Sequence, residues 1–230
     1  EGNNNDTESI FEVQFQANTG FGTASNYQNA DIPRVTGGNG LYPTMDLLDA
    51  YEDGDPRKDW TILEPGDEFA GEIYDPSLQD QNFGITGLVR VKGVIEEKNI
   101  QGGQNFIVLR FAEMLINKAE ALNEQGNTLD AYAPINRIRN RVGLSDLPAG
   151  LTQAEMREAI RHERRVELAF EGQYYFDVLR WGADALEEDM NSVTEINNHD
   201  RIFEPKLLVW PIPARELDVN PNLTQHPEWQ

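Results

Sequence analysis

The chain contains no cysteine, which excludes disulfides, thiolate nucleophiles and every cysteine-based zinc or iron–sulfur centre at once. Histidine is scarce. His162, His199 and His226 stand far apart in three different elements without ligand spacing, and each reads as a solvated or singly hydrogen-bonded side chain. Positive charge is also in short supply: 19 Lys and Arg face 40 Asp and Glu, a formal net of −21. A surface of that sign repels phosphate backbones and anionic headgroups, so no nucleic-acid partner is expected. Nothing approaches the roughly 18 to 20 apolar residues that span a bilayer, and no basic-then-apolar leader opens the chain. Because it begins at Glu1 rather than Met, a mature or truncated product is expected.

What is present suffices for a real core: 230 residues can form one large domain or two small ones without metal or disulfide staples. Acidity is concentrated at the front, where residues 1–80 hold 17 acids against Arg34, Arg57 and Lys58, a local net of −14. That is the pattern of a solvated acidic face. Residues 9–16 predict a strand with one buried face, since Phe11, Val13 and Phe15 alternate with Glu12, Gln14 and Gln16. Residues 17–40, rich in Gly, Asn, Thr and Ser and without period, predict a long loop. Thr44 caps a short helix carrying Met45, Leu48 and Tyr51, closed by Gly54 and Pro56. Residues 60–87 read as irregular, and 88–94 with 106–109 predict a small β-hairpin.

Beyond Arg110 the period becomes helical. Phe111, Leu115, Ala119 and Leu122 share one stripe, closed by Gly126 as a left-handed cap. A second helix after Thr128 turns Ala131, Ile135, Ile138 and Val142 inward and stops at Gly143. Pro134 fits it only if the helix starts late enough to place the ring near the first turn. Thr152 and Glu155 form a capping box for a third helix, expected to run to about Phe170 with Gly172 as its stop. A further amphipathic turn or two from Tyr174 to Trp181 follows, and beyond Arg201 a short apolar strand with Pro and Asn turns predicts an ordered tail. Ala119, Leu122, Gly126, Ala131 and Ile135 also match the spacing of one tetratricopeptide unit, although its early Trp and closing Pro are missing. The pair is therefore either one member of a longer array or an ordinary helical hairpin.

Glu163, Glu167 and Glu171 recur at i, i+4 and i+8 with Arg161, Arg164 and Arg165 interleaved. Each Glu has an Arg within helical reach, which predicts a structural ion network. A dinuclear metal centre would need Glu-x-x-His pairs on two helices, and none exists. Asp53, Asp55 and Asp59 are hard oxygen donors suited to calcium, but their spacing is unlike an EF-hand, and Asp55 capping Arg57 is the simpler account. Residues 36–40 lack the Lys-Ser/Thr of a phosphate-binding loop. There is no Gly-x-Ser-x-Gly elbow. A glycosidase carboxylate pair stays open, because acids are too plentiful for two to stand out.

Taken together, Arg110-Phe111-Ala112-Glu113, Asn117-x-Ala119-Glu120-Ala121, Asn136-x-x-Arg139-x-Arg141, Glu163-Arg164-Arg165-x-Glu167-Leu168-x-Phe170-Glu171-Gly172 and Asp177-x-x-Arg180-Trp181 closely resemble the SusD/RagB family. Pro211-Ile212-Pro213-x-x-Glu216-Leu217 resembles that family's ending, with His226-Pro227-Glu228 where Asn-Pro-Gly is usual. Upstream, Glu8-Ser9-Ile10-Phe11-Glu12, Tyr42-Pro43-Thr44 and Asp53-Gly54-Asp55-Pro56-Arg57 extend the likeness over nearly the whole chain. The resemblance implies a mainly α, SusD-like fold with a tetratricopeptide-like helical hairpin, a small β-hairpin and long irregular loops. Residues 1–105 are then expected to form a loop-rich segment with short strands, and 106–230 a helical region with an ordered tail.

The same resemblance implies a surface-exposed lipoprotein of a bacterial outer membrane, held there only through a lipid anchor outside this chain. Such a protein captures glycans or other nutrients, without catalysis or cofactor, for import through a SusC-like TonB-dependent transporter. The rival expectations are a surface glycoside hydrolase, suggested by the surplus of carboxylates, and a scaffold in a surface complex, suggested by the repeat-like hairpin. Glycan capture needs flat aromatic faces for sugar rings and planar polar groups for hydroxyls. Phe21, Asn26, Tyr27 and Arg34 in the long loop, with Tyr42, Trp60 and Tyr74 nearby, are the candidate ligand-binding residues. No catalytic or metal-binding residue is expected, and Trp181 and Trp210 are expected in the core.

Overall fold

Small residues set the spacing of the helical core. In the computed structural model, α3 (Phe111–Glu124) and α4 (Thr128–Arg141) meet where Ala119 and Ala131 are fully buried. With nothing beyond Cβ, these two let the helices approach until Ile116, Ile135 and Ile138 pack together. Gly126 makes the reversal between them at φ +82°, a conformation that a β-carbon disfavours. The third helix, α5 (Gln153–Glu167), adds Met156 and Ile160 to the same core. Each such side chain removed from water contributes about 1.5–3 kcal/mol. Buried Asn123 ties all three helices: its Nδ2 donates to the Gln153 carbonyl, its Oδ1 accepts from the Thr128 hydroxyl, and the Gln153 amide donates to its carbonyl. The capping box at Thr152 and Glu155 is formed in both directions.

The structure describes residues 6–15, 42–69, 71–75, 86–93, 105–193 and 202–230. They belong to two compact units, 1–172 and 173–230. The division expected between 105 and 106 falls inside the first unit, where β1 (Ser9–Val13) pairs antiparallel with β6 (Phe106–Arg110). α1 (Met45–Asp49) starts at Thr44, whose hydroxyl accepts from the Leu47 amide at 3.2 Å. An unanticipated α2 (Arg57–Thr61) follows and leads directly into β2 (Ile62–Leu63). Tyr51, Ile62 and Leu88 pack with Val166 of α5, which fixes this region against the helical core.

Several local expectations are corrected. Strand β5 (Val89–Arg90) pairs with β2 rather than with β6, so the hairpin expected between 88–94 and 106–109 is replaced by two long-range pairings. Val89 and Val91 share a buried cluster with Leu63 and Tyr74, and that burial selects the partner. The local hairpin is instead β3 (Glu68–Phe69) with β4 (Glu72–Ile73). β1 has no buried apolar face among the described residues, since Ile10, Phe11 and Val13 are 53%, 54% and 41% exposed. Pro134 lies inside α4, beyond its first turn, where the ring removes one helical hydrogen bond. The helix continues because Ala131, Ile135 and Ile138 are buried on either side of it. α5 ends at Glu167 rather than near Phe170, and Phe170 turns the chain at φ +62°.

In the second unit α6 (Tyr174–Trp181) and α7 (Ala183–Ser192) are separated by Gly182 at φ +104°. The tail expected to hold a strand forms a 3-10 turn at Pro205–Leu208, then α8 (Ala214–Val219) and a final 3-10 turn at Pro227–Trp229. It is ordered by its own contacts: the Gln225 side chain exchanges two hydrogen bonds with the Ile212 backbone, and the Trp229 indole donates to the Val209 carbonyl. Trp210, expected in the core, is 75% exposed. Trp181 is half-buried with the Arg180 guanidinium over its ring.

Candidate functional site

Helix α5 changes character along one face. Its first half buries Met156 and Ile160, whereas its second half buries Glu163 and Glu167. Those two carboxylates face arginines delivered by other elements. Arg57, at the start of α2, is held by Asp55, which accepts from its backbone N–H and from its Nε and Nη2. Its Nη1 reaches Glu163 at 2.6 Å and Glu167 at 2.9 Å. Arg110, at the end of β6, forms a two-pronged pair with Glu171 and donates to Glu167 at 2.7 Å. From α4, Arg139 joins Glu163 to Glu52, and Arg141 places Nη2 on both oxygens of Glu167. Lys92 donates to the Glu167 carbonyl and pairs with Glu171.

The ion network expected on α5 is therefore present, but with different cations. Arg161 pairs with Glu158, Arg164 with Asn117 and Arg165 with Asp46. Arg161 and Arg165 stand two positions from the nearest of these carboxylates and point away from them, whereas Arg164, three before Glu167, is drawn instead to Asn117 and Glu113 of α3. Burial alone would push the Glu167 carboxyl up, yet Arg110, Arg141 and Arg57 hold it down at about 2. Burial likewise opposes ionisation of Glu171, and Lys92 and Arg110 keep its pKa below the usual range. Burial lowers the pKa of the Lys92 ammonium despite Glu171 beside it. For Arg57 and Arg110, burial acts against the charge, but the carboxylates around them raise both pKa values.

Next to this network lies a pocket of about 300 Å³. Trp60, Phe106 and Phe170 supply aromatic walls, and Lys92, Arg110 and Arg141 supply cationic ones. Trp60 sits one turn after Arg57 on α2 and is 59% exposed. Phe170 reaches the pocket through its left-handed backbone, a conformation costing a non-glycine residue about 1 kcal/mol. The Arg90 guanidinium lies 6.0 Å from the centre of its ring. Strain of this kind persists where surrounding contacts enforce it, and it is enriched at binding sites.

Of the seven candidate ligand-binding residues, Phe21, Asn26, Tyr27 and Arg34 lie outside the described residues. Trp60 lines the pocket. Tyr42 is half-buried and is not part of the lining. Tyr74 belongs to the core: it is 2% exposed and its hydroxyl is committed to the Gly87 carbonyl at 2.7 Å. Lys92 and Phe106 carried no signal in the sequence. Arg110, Arg141 and Phe170 stood inside the family motifs, with no binding role expected of them. Asp55 caps Arg57 as expected, while Asp53 and Asp59 are exposed, and among the described residues no group of three His, Asp or Glu can hold a metal ion. His162 approaches the Ala50 carbonyl at 2.7 Å and His226 accepts from the Glu228 amide, each a single structural bond; His199 lies outside the described residues.

The model of the SusD family matches residues 7–229. SusD-like protein P2 of Formosa agariphila is 27% identical, over 94% of this chain and 47% of its own length. A SusD-like protein from Bacteroides fragilis superposes with a TM-score of 0.75 at 26% identity, covering 97% of this chain and 54% of its own. A second protein of that organism, described as a SusD-like carbohydrate binding protein, gives 0.71 at 26% identity, over 94% of this chain and 54% of its own. The chain thus spans about half the length of these relatives. With a family match across nearly all of its residues, and a fold shared with two solved members, the chain belongs to the SusD family.

Proposed function

We propose that the protein captures glycans at the bacterial outer-membrane surface, without chemical change, and passes them to a SusC-like TonB-dependent transporter. The observation that carries this reading is the pocket beside Trp60, where an exposed indole stands next to fixed polar groups. An indole covers the apolar face of a sugar ring, while N–H donors orient its hydroxyls. Trp60 and Tyr42, with Phe21, Asn26, Tyr27 and Arg34 upstream, are the proposed contacts. The similarity to a carbohydrate-binding relative supports the ligand class. A non-catalytic role fits the site, because both lining carboxylates, Glu167 and Glu171, are engaged by cations. Neither is then available as a general acid or base.

Isothermal titration of the intact protein against a panel of oligosaccharides and peptides tests the reading. At least one saccharide should bind, and Trp60→Ala should weaken it about tenfold, the equivalent of about 1.4 kcal/mol. No saccharide binding, or unchanged affinity in the variant, would overturn it. Co-purification from outer membranes should bring down a TonB-dependent transporter, and its absence would remove the import role. Release of reducing sugar, abolished by one carboxylate substitution, would instead establish a glycoside hydrolase.

A further inference from the structure

We infer that the pocket beside Trp60 is built for a negatively charged sugar residue, one bearing a carboxylate or a sulfate. This rests on the glycan-capture reading and specifies its ligand class. Charge is distributed unevenly around the cavity: Arg57, Lys92, Arg110 and Arg141 line it, against Glu167 and Glu171. The other two acids balancing Arg57, Asp55 and Glu163, have side chains 1% exposed and lie outside the lining. Exposure picks out two of the cations. The side chains of Arg141 and Lys92 are 49% and 27% exposed, while those of Glu167 and Glu171 are 2% and 21% exposed. Arg57 and Arg110, at 5% and 10%, are as enclosed as the acids they pair with, so the most open charge on the lining is the Arg141 guanidinium, in a chain whose net charge is −21.

The hydrogen bonds point the same way. Glu167 already accepts from Arg57, Arg110 and Arg141, and Glu171 from Lys92 and Arg110. Arg141 engages Glu167 through Nη2 alone, so among the described residues its Nε and Nη1 have no protein acceptor. Charge-assisted bonds from these donors are about twice as strong as neutral ones, and a carboxylate or sulfate is the acceptor they suit best. The acidic remainder of the surface weakens this attraction only at long range, because screening reduces it beyond about 8 Å at physiological salt. A cavity of about 300 Å³ is at the small end for ligand sites, suited to a single charged unit of a chain rather than to a long stretch of it.

The test is a titration of the intact, 15N-labelled protein with galacturonate, galactose 6-sulfate and galactose, following the Trp60 indole N–H and the Arg141 Nε–H. Sodium acetate and sodium sulfate serve as sugar-free controls. At low salt one or both charged sugars should shift both signals and bind at least about fivefold more tightly than galactose, a margin that raised salt removes. The arm that binds distinguishes carboxylate from sulfate. Arg141→Gln should weaken the charged sugar about five- to tenfold and galactose at least about threefold less, so that the preference for charge shrinks. Equal affinity for all three sugars at low salt overturns the inference and leaves glycan capture standing. Shifts at Arg141 with acetate or sulfate as large as with the sugars, and none at Trp60, mean an adventitious ion only and overturn it as well. If no sugar moves the Trp60 signal, the glycan reading of this pocket falls with it.

Discussion

Glu167→Gln removes one charge from the centre of the network and nearly preserves its shape. In the native protein this side chain, 2% exposed, accepts from three arginines. Holding its carboxyl at about 2, against an ordinary 4.5, is worth roughly 3 kcal/mol when each pH unit counts for about 1.4. Breaking a buried ion pair from one side independently suggests roughly 3–5 kcal/mol. The two estimates agree, so urea unfolding at pH 7 should show E167Q destabilised by about 3 kcal/mol. The pH dependence carries the sharper signature. A carboxyl depressed in the folded state contributes stability that is complete above the unfolded pKa, here 4.5, and disappears as pH falls through the folded value near 2. The variant lacks that titration. The gap between the two proteins should therefore be constant from pH 7 to 5.5 and narrow by about 2 kcal/mol at pH 3. A gap under about 1 kcal/mol at pH 7, or one that does not narrow in acid, would refute the assignment of Glu167 as the electrostatic centre.

Two further substitutions probe the fold beneath the site. Ile135→Ala should cost about 2–5 kcal/mol in urea melts, because the residue is fully buried among α3, α4 and α5 and its loss leaves a cavity; a smaller effect would mean that the core can collapse. Thr152→Ala removes one half of a formed capping box and should cost about 1 kcal/mol, with hydrogen exchange at the start of α5 accelerated more than at its end.

Local signals were enough for the helical hairpin and for α5. Gly126, Gly143 and Thr152 mark ends through single-residue conformational preferences, and Ala131, Ile135 and Ile138 repeat at the period of the structure they form. The same reasoning could not anticipate β1 with β6 or β2 with β5, because antiparallel partners far apart in sequence are chosen by shared burial rather than by adjacency. α2 escaped for a different reason: five residues are too few to establish a period. At the site, the motif containing Glu163 and Glu167 located the ion network, yet its true cations come from Arg57, Arg110, Arg139 and Arg141, which only tertiary folding brings near. Trp60 and Tyr74 both stand in segments without regular pattern. One faces the pocket and the other the core, and nothing within either segment distinguishes them.

Arg57 and Trp60 occupy one turn of the same five-residue helix, the first locked by Asp55, Glu163 and Glu167 and the second open. That arrangement uncouples inheritance of the fold from the identity of the side chain shown at the pocket. Substitutions at position 60 act on an exposed side chain and should alter stability by no more than about 0.5 kcal/mol, while Arg57 keeps the helix where it is. A lineage can therefore change the face it presents at the pocket one residue at a time, without rebuilding the frame beneath it.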